Sequence, residues 1–464
     1  MTDLSKHGTT ASGRCPVWVV QNRDRQKPFV APDLNLMNRN ELSLNLAHSI
    51  TRGEWSKDFI KSNLLRRLPP TVHKLVPAIS EDLVTELSAR YAPTEKYVAE
   101  HLLYDRNFDR IYRYCARKGI WPTPDLSPPV MAPIPAFQQI DLPQIPTLSE
   151  LAEFLFLTPE QLEYLADRNG RHEEHGDMAV NHYHYVLKPK RTSGFRLIEA
   201  PKELLKTIQR HILRSILDKL PAHPDTFGFV RSRNCLQGAN RHAGEQVVLR
   251  FDLKNFFPSI SAGRIFGVFR CLGYPHHVAV YLTALSTTKT PARVLERLTY
   301  PDRGLYNTPH LPQGAPLSPA LANHAAFGLD RRLAGLAKRL DANYSRYADD
   351  LTFSGDHTIT PNLLRLVPQI VKDEGFVLNT SKTRVLPQTT RQTVTGIVVN
   401  DHLNIDRKTF DHLKAVIHAF QKEGDHRLSD PAFRASLEGK IAWVEAINPT
   451  RGQKLRSLLT TGKR

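Results

Sequence analysis

Two aspartates, Asp349 and Asp350, stand side by side inside the apolar, β-prone run RYADDLTFSG, residues 346–355. Few features constrain a fold more. A carboxylate taken out of water is costly unless something compensates it. The run therefore either turns at the aspartates, holding them at a polar hairpin tip, or carries them beside a cation. A third carboxylate, Asp252, closes the run Val247–Phe251 in VVLRFDLKNFFPSI (247–260), which reads as a buried strand. Alone, Asp252 is equally well a strand-end cap. Together, one strand end and one hairpin tip offer three carboxylates to a pair of divalent cations. Phosphoryl transfer uses that arrangement, with one ion activating the attacking hydroxyl and the other stabilising the leaving pyrophosphate. Mg2+ suits such an oxygen donor set.

The rest of the chain divides around a proline-dense stretch. WPTPDLSPPVMAPIPAFQQIDLPQIPT (121–147) holds eight of the 33 prolines. Such density excludes a helix or a central strand and predicts a stiff extended linker over 119–146. Residues 1–118 before it read as a helical extension. NELSLNLAHSI and SEDLVTELSARY carry helical spacing, each opened by a polar cap candidate. After the linker, TLSELAEFLFLTPEQLEYLAD pairs Thr147 with Glu150 and Thr158 with Gln161, two capping boxes. This is either a helix-turn-helix or two helices packed for another purpose. Strand-like HYHYVLKPK, FRLIEA, QVVLRFDL, SRYADDLTFSG and TVTGIVVN then alternate with helices such as KELLKTIQRHILRSILDKL. The layout to residue 400 is α+β, and the chain returns to helices from 401.

With 464 residues and 41% apolar content, several domains and a large core are expected. Lys and Arg outnumber Asp and Glu by 63 to 46, a formal charge of +17, which points to a polyanionic partner, nucleic acid first. Cys15, Cys115, Cys235 and Cys271 are scattered without metal spacing and read as reduced thiols. No membrane-length apolar stretch and no signal-peptide h-region are visible, so a cytoplasmic protein without a membrane partner is expected. His172, His175, His182 and His184 lack zinc-site spacing. His182 and His184 fall on one face of a strand, toward RNA or solvent.

Beyond the carboxylates, an ordered set of motifs resembles reverse transcriptases. FDLKNFFPSI is similar to their first palm motif, LPQGAPLSPALAN (311–323) to the template-supporting segment and YADD to the catalytic hairpin. GFVLNTSKTRV (375–385), with Asn379 and Lys382, resembles the next palm motif. Upstream, KPKRTSGFRLIEAPKELLKTIQRHIL and GFVRSRN resemble the fingers. Within that superfamily the chain resembles bacterial retron enzymes. Asn307-Thr-Pro-His310 matches their N-x-x-H pattern, Val394-Thr395-Gly396 their V-T-G signature, and GKIAWVEAINPTRGQKLRSLL their thumb. The resemblance covers about 147–464. It departs in one place: Ser232 and Asn234 replace glycine and serine of G-F-x-x-G-R-S, which makes Arg233 rather than Arg231 the matching arginine.

The resemblance implies a right-hand polymerase, with fingers and palm over 147–400, a helical thumb over 401–464 and an N-terminal helical extension. It implies RNA-directed DNA synthesis on a cognate structured non-coding RNA (msr–msd), primed from a guanosine 2′-hydroxyl and giving branched msDNA. Antiphage defence with an effector protein is the expected setting. Asp252, Asp349 and Asp350 are the expected catalytic residues. With Leu253 they are the ligands of two Mg2+ ions, Mn2+ being a substitute. For dNTPs the implied contacts are Lys190, Arg196, Phe257, Gln313, Gly314 and Lys382. Phe257 would lie under the sugar and reject a 2′-hydroxyl, although one of Phe256 and Phe257 must face the core. Lys190 and Arg196 would clamp the triphosphate, or else decorate a solvated hairpin. Lys382 would protonate pyrophosphate or simply contact phosphate. RNA contacts are expected at Asn307, His310, Val394, Thr395, Gly396, Arg451, Lys454 and Arg456, the last three doubling as an ordinary helix end. Two rivals stand beside this reading. One is a group II intron or diversity-generating enzyme, disfavoured because the chain ends soon after the thumb. The other is a nucleic-acid-binding scaffold with a vestigial polymerase, disfavoured by three intact carboxylates.

Overall fold

The computed structural model describes residues 37–51, 56–87, 93, 95–122, 130–167, 181–190, 195–298, 300–419 and 430–461. At its centre lies a four-stranded antiparallel sheet in the order β4-β5-β3-β6, built from β3 (Val247–Asp252), β4 (Asn343–Tyr347), β5 (Asp350–Gly355) and β6 (Arg384–Pro387). Strand β3 is buried on both faces, which is why it reads as an unbroken apolar run. Val247, Leu249 and Phe251 point into the main core. Val248 points the other way, against Val394, Ile397, Val399 and Ile447. Helices Ala262–Cys271, His276–Ser286, Ser318–Ala325, Phe327–Arg339 and Ile359–Asp373 supply most of the remaining main core. A separate hairpin pairs β1 (Tyr183–Pro189) with β2 (Phe195–Pro201), and a small one pairs β7 (Thr393–Val394) with β8 (Ile397–Val398).

His242 pins the hairpin β4–β5 from behind. Its ring is wholly buried, with Nδ1 at 2.8 Å from Ser354 Oγ and Nε2 at 2.7 Å from Ser345 Oγ. Burial, and then the nearby Arg241 charge, push its pKa down to about 3. The folded form thus resists protonation more than the unfolded chain, so the stabilisation is complete above about pH 6.5 and fades as pH falls toward 3. Roughly 2 kcal/mol is expected to be lost by pH 5, at about 1.4 kcal/mol per unit. Denaturant unfolding at pH 7 and pH 5 checks this. His242→Gln should flatten the difference, and an unchanged slope would remove His242 as its source.

The N-terminal extension has its own core. Helices α1 (Arg39–Thr51), α2 (Lys57–Arg67), α3 (Val76–Glu86), α4 (Glu95–Tyr104) and α5 (Arg106–Lys118) close over Leu42, Leu46, Ile50, Leu83, Phe108 and Ile111. The caps differ from those expected. Asn38 opens α1, exchanging hydrogen bonds with Glu41, whereas Ser80 lies inside α3 and donates to Val76 O. Arg270 ties this unit to the palm by donating to Thr51 O at 2.8 Å.

The proline-rich segment is extended, but over its described part it is docked rather than a free spacer. Met131, Leu142 and Ile145 are buried in the main core. Ala132 N and Ile134 N donate to the carbonyls of Gly273 and Cys271. Gly273 has φ +91°, and a Cβ there would lie 2.3 Å from Pro133 N, so only glycine admits this docking. Both predicted capping boxes form, on α6 (Leu148–Phe154) and α7 (Pro159–Ala166). Leu151, Leu162 and Leu165 turn their apolar faces into the main core. The thumb, Arg407–Ala419, Pro431–Ile447 and Pro449–Thr461, packs around Phe410, Leu413, Ile441, Val444 and Leu455. No helix is long and apolar enough to cross a membrane among the described residues.

Candidate active site

The register of the sheet brings the three carboxylates together. Asp252 pairs directly with Asp350 across β3 and β5, and Leu253 N donates to Asp349 O at 2.9 Å. Like charges opposite one another destabilise a strand pair, so this end of the sheet is built against its own folding interest. Asp252, Asp349 and Asp350 line an open cleft of about 420 Å³ with Arg250, Phe251, Lys382 and Arg384. Burial, then its neighbour Asp350, raises the pKa of Asp349. Burial also raises that of Asp350, opposed by Arg250 and reinforced by Asp252.

Cations already answer part of this charge. Lys382 Nζ sits 2.7 Å from Asp252 Oδ1, and Arg250 Nη2 lies 3.6 Å from Asp350 Oδ2. Among the described residues no three His, Cys, Asp or Glu side chains are drawn into a ready-made ion cage. The donor set nonetheless fits Mg2+: it is all oxygen, it is partly buried, and its mutual repulsion is relieved by added positive charge. Leu253, whose side chain is buried, has only its backbone carbonyl to add.

The hairpin that presents Asp349 and Asp350 is held from below. Ala348 has φ +55°, an uncommon conformation for a residue with a side chain. Arg346, fully buried, donates to Ala348 O at 3.1 Å and to Asn323 Oδ1 at 3.0 Å. Its guanidinium makes a bidentate pair with buried Asp330, at 2.7 and 2.6 Å. Tyr344 Oη and Thr226 Oγ1 complete the shell of Asp330. Gly228 supports the same turn: a Cβ there would lie 2.6 Å from Ala348 N.

Sequence reasoning did not single out Arg346, Asp330 or Arg250. Arg250 was findable, because it lies two residues before Asp252 and so on the same strand face. Asp330 was not, since its partners arrive from Thr226, Tyr344 and Arg346, far apart in the chain.

The two phenylalanines differ in burial, and it is Phe256 that faces the core. Phe256 is buried, its ring against Phe376 and beneath Arg346. Phe257 is half-buried and reaches a small aromatic group in which Phe229 stands 6.3 Å from Phe257 and 6.1 Å from Tyr347. Phe257→Ala is expected to raise ribonucleotide incorporation, read by primer extension with rNTPs. Phe256→Ala should instead cost about 3–5 kcal/mol of stability. Relaxed sugar choice in the Phe256 variant alone would reverse the assignment.

The fingers departure has a physical reading. Ser232 sits at φ +65°, the conformation that glycine adopts freely at the position it replaces. Arg233 is committed to structure, donating to the carbonyls of His223, Pro224 and Thr226, whereas Arg231 is exposed. Asn234 caps its helix through a capping box with Gln237, a task serine would also perform. Lys190 and Arg196 are exposed at the end of the β1–β2 hairpin. Gln313 O accepts from Glu199 N at 2.8 Å, and Gly314, at φ +131°, would bring a Cβ within 3.0 Å of Ile198. Glycine is required there by that close approach to β2.

Two expected RNA contacts are corrected. His310 is 1% exposed, with Nε2 at 2.8 Å from buried Glu199 Oε2 and Nδ1 at 2.8 Å from Thr308 O. Thr290 Oγ1 holds the other Glu199 oxygen. His310 therefore locks the segment before Gln313 to β2 and presents nothing to RNA, while Asn307 stays exposed. Val394 is likewise core, at 2% exposure. Only Thr395 and Gly396, the positive-φ pair at the tip of β7–β8, reach the surface.

In the thumb, Arg451 lies over the Phe410 ring, Arg456 pairs with Glu445 at 2.6 Å and Lys454 is exposed. Of the histidine group, His172 and His175 lie outside the described residues. His182 Nε2 is 2.8 Å from Tyr164 O and His184 is exposed.

This site defines a class. Residues 187–399 match the family model described as reverse transcriptase (RNA-dependent DNA polymerase). The chain is 42% identical to the retron Mx65 reverse transcriptase of Myxococcus xanthus, covering 60% of this chain and 64% of that one. It is 34% identical to the retron Mx162 reverse transcriptase of the same organism, covering 69% and 67%. The retron Ec86 reverse transcriptase of Escherichia coli is 36% identical over 48% and 64%. The chain belongs to the retron reverse transcriptases, and it spans about two thirds of the length of these relatives.

Proposed function

We propose that this protein is an RNA-directed DNA polymerase that copies a cognate structured non-coding RNA. In this reading synthesis starts from a guanosine 2′-hydroxyl of that RNA and yields branched msDNA, within an antiphage retron that includes an effector protein. The observation that carries the polymerase assignment is the facing of Asp252 and Asp350 across two antiparallel strands, with Asp349 in the adjoining turn of an open cleft. Asp252, Asp349, Asp350 and the Leu253 carbonyl would hold two Mg2+ ions, or Mn2+ in their place. When bound, the ions lower the pKa of the attacking hydroxyl and stabilise the leaving pyrophosphate.

The protein's own groups do the rest. Lys382, which pairs with Asp252 at the cleft, would offer its charge to phosphate. Lys190 and Arg196 offer charge to the triphosphate from the fingers hairpin. Phe257 fills the space a 2′-hydroxyl would need, and Gln313-Gly314 keep the backbone close to the nascent pair. Asn307, Gly396, Lys454 and Arg456 are the exposed members of the RNA-facing set, with half-buried Thr395 beside Gly396. The test is to purify the protein with its bound nucleic acid, sequence it, and supply that RNA with dNTPs and Mg2+. A DNA product joined to an internal guanosine through a 2′ linkage is expected. A linear product from a 3′ primer alone would discard the branched-priming reading and keep the polymerase.

A further inference from the structure

Helix α5 carries five cations, Arg106, Arg110, Arg113, Arg117 and Lys118, against one carboxylate, Asp109. The arginines are spaced by four, three and four residues, so they form one stripe along one face. All are exposed, while Phe108, Ile111 and Cys115 bury the opposite face in the extension's own core. Asp109 answers part of the charge, lying 2.8 Å from Arg113 and 3.6 Å from Arg39. Among the described residues Arg106, Arg110 and Arg117 have no acidic partner.

At its N-terminal end this arrangement opposes the helix's own stability, whereas Arg117 and Lys118 suit the last turn. Neighbouring arginines one turn apart repel each other. Arg106 also sits in the first turn, where the helix dipole disfavours a cation. A solvated face would be expected to alternate charges along it; this one does not.

We infer that the α5 stripe is a docking face for the phosphate backbone of double-stranded RNA. It rests on the proposed function for the choice of RNA over other polyanions. The stripe runs about 16 Å from Arg106 to Arg117, enough to follow several successive phosphates. Its two tyrosines, Tyr112 and Tyr114, are half-buried against the extension's own core, so the helix presents no exposed ring between the arginines on which unpaired bases would stack. A duplex, whose bases are hidden and whose phosphates are regularly spaced, fits it better. The face lies outside the palm cleft, so it serves to hold a stem of the structured RNA while another part of it is copied.

The test uses the full chain and an RNA hairpin with a stem of about 16 base pairs. Binding is followed across a salt series for wild type, for Arg106→Gln/Arg110→Gln/Arg117→Gln, and for the corresponding Arg→Lys triple. The Gln triple is expected to bind at least about tenfold more weakly at low salt, with its log–log salt slope reduced by roughly 2–3 units. The Lys triple should retain most of both, and extension of a short primer–template at saturating concentration should be unchanged. If the Gln triple melts lower than wild type, Arg110→Glu alone is read in the same way. Unchanged binding and slope overturn the proposal and leave the stripe to an acidic protein. An equal loss on a DNA duplex of the same sequence overturns the RNA assignment. If the Gln triple loses hairpin binding while wild type copies no primed template, the polymerase reading fails and the docking face stands.

Discussion

Asp349→Asn or Asp350→Asn is expected to abolish DNA synthesis on a primed RNA template and to leave RNA binding intact. The expected fall in the single-turnover rate is at least about a thousandfold, the equivalent of roughly 4 kcal/mol of lost charge stabilisation. The amide keeps the size of the side chain and removes its charge, so the fold is preserved. RNA affinity follows phosphate contacts spread over a surface of formal charge +17, and one carboxylate alters it little. The same variants carry a second signature. Both carboxyls hold their protons more tightly in the folded protein than in the unfolded chain. Folded protein therefore binds more protons in that interval, and stability falls as pH rises through it, starting near the unfolded value of about 3.9. At neutral pH, without metal, either variant should melt higher than wild type, and adding Mg2+ should narrow the gap. Near-wild-type extension by either variant would refute the metal-centred assignment, whereas no extension by the wild type would revive the scaffold reading.

Arg346→Met should be the most damaging change outside the cleft. It leaves Asp330 buried with hydrogen-bond donors but no counter-charge, and such losses cost about 3–5 kcal/mol. It also frees the Ala348 carbonyl, and with it the turn that carries Asp349. Adding Asp330→Leu removes the orphan charge, so the double variant should regain most of the stability, read by denaturant unfolding. If the ion pair serves only stability, extension returns with it. We expect instead that extension stays low in the double variant, because the Ala348 carbonyl has then lost the guanidinium that holds it. Full recovery of extension would assign Arg346 to stability alone.

The carboxylate cluster was legible early because carboxylates inside apolar strands are expensive and therefore informative. Asp252, Asp349 and Asp350 needed no coordinates to be named. The capping boxes at Thr147 and Thr158, the strand β3 and the thumb helices were equally local, set by side chains three or four positions apart or by an apolar run. Phe257 was separable from Phe256 by motif register, and burial agrees with it.

The errors fell where a residue's neighbours come from distant parts of the chain. His310 looked like an RNA contact until β2 brought Glu199 against it, and Val394 until β3 and the Ile447 helix closed over it. The proline-rich stretch was read as extended, yet its docking depends on Gly273, more than a hundred residues away. Ser80 has the composition of a cap but lies within a helix that an upstream turn had already begun. The sequence by itself determined which residues are costly to bury and how each short segment turns. Only the tertiary structure decided which charges meet, because the Asp252–Asp350 pairing and the Asp330–Arg346 clasp exist only once strands and helices far apart in the chain have closed on one another.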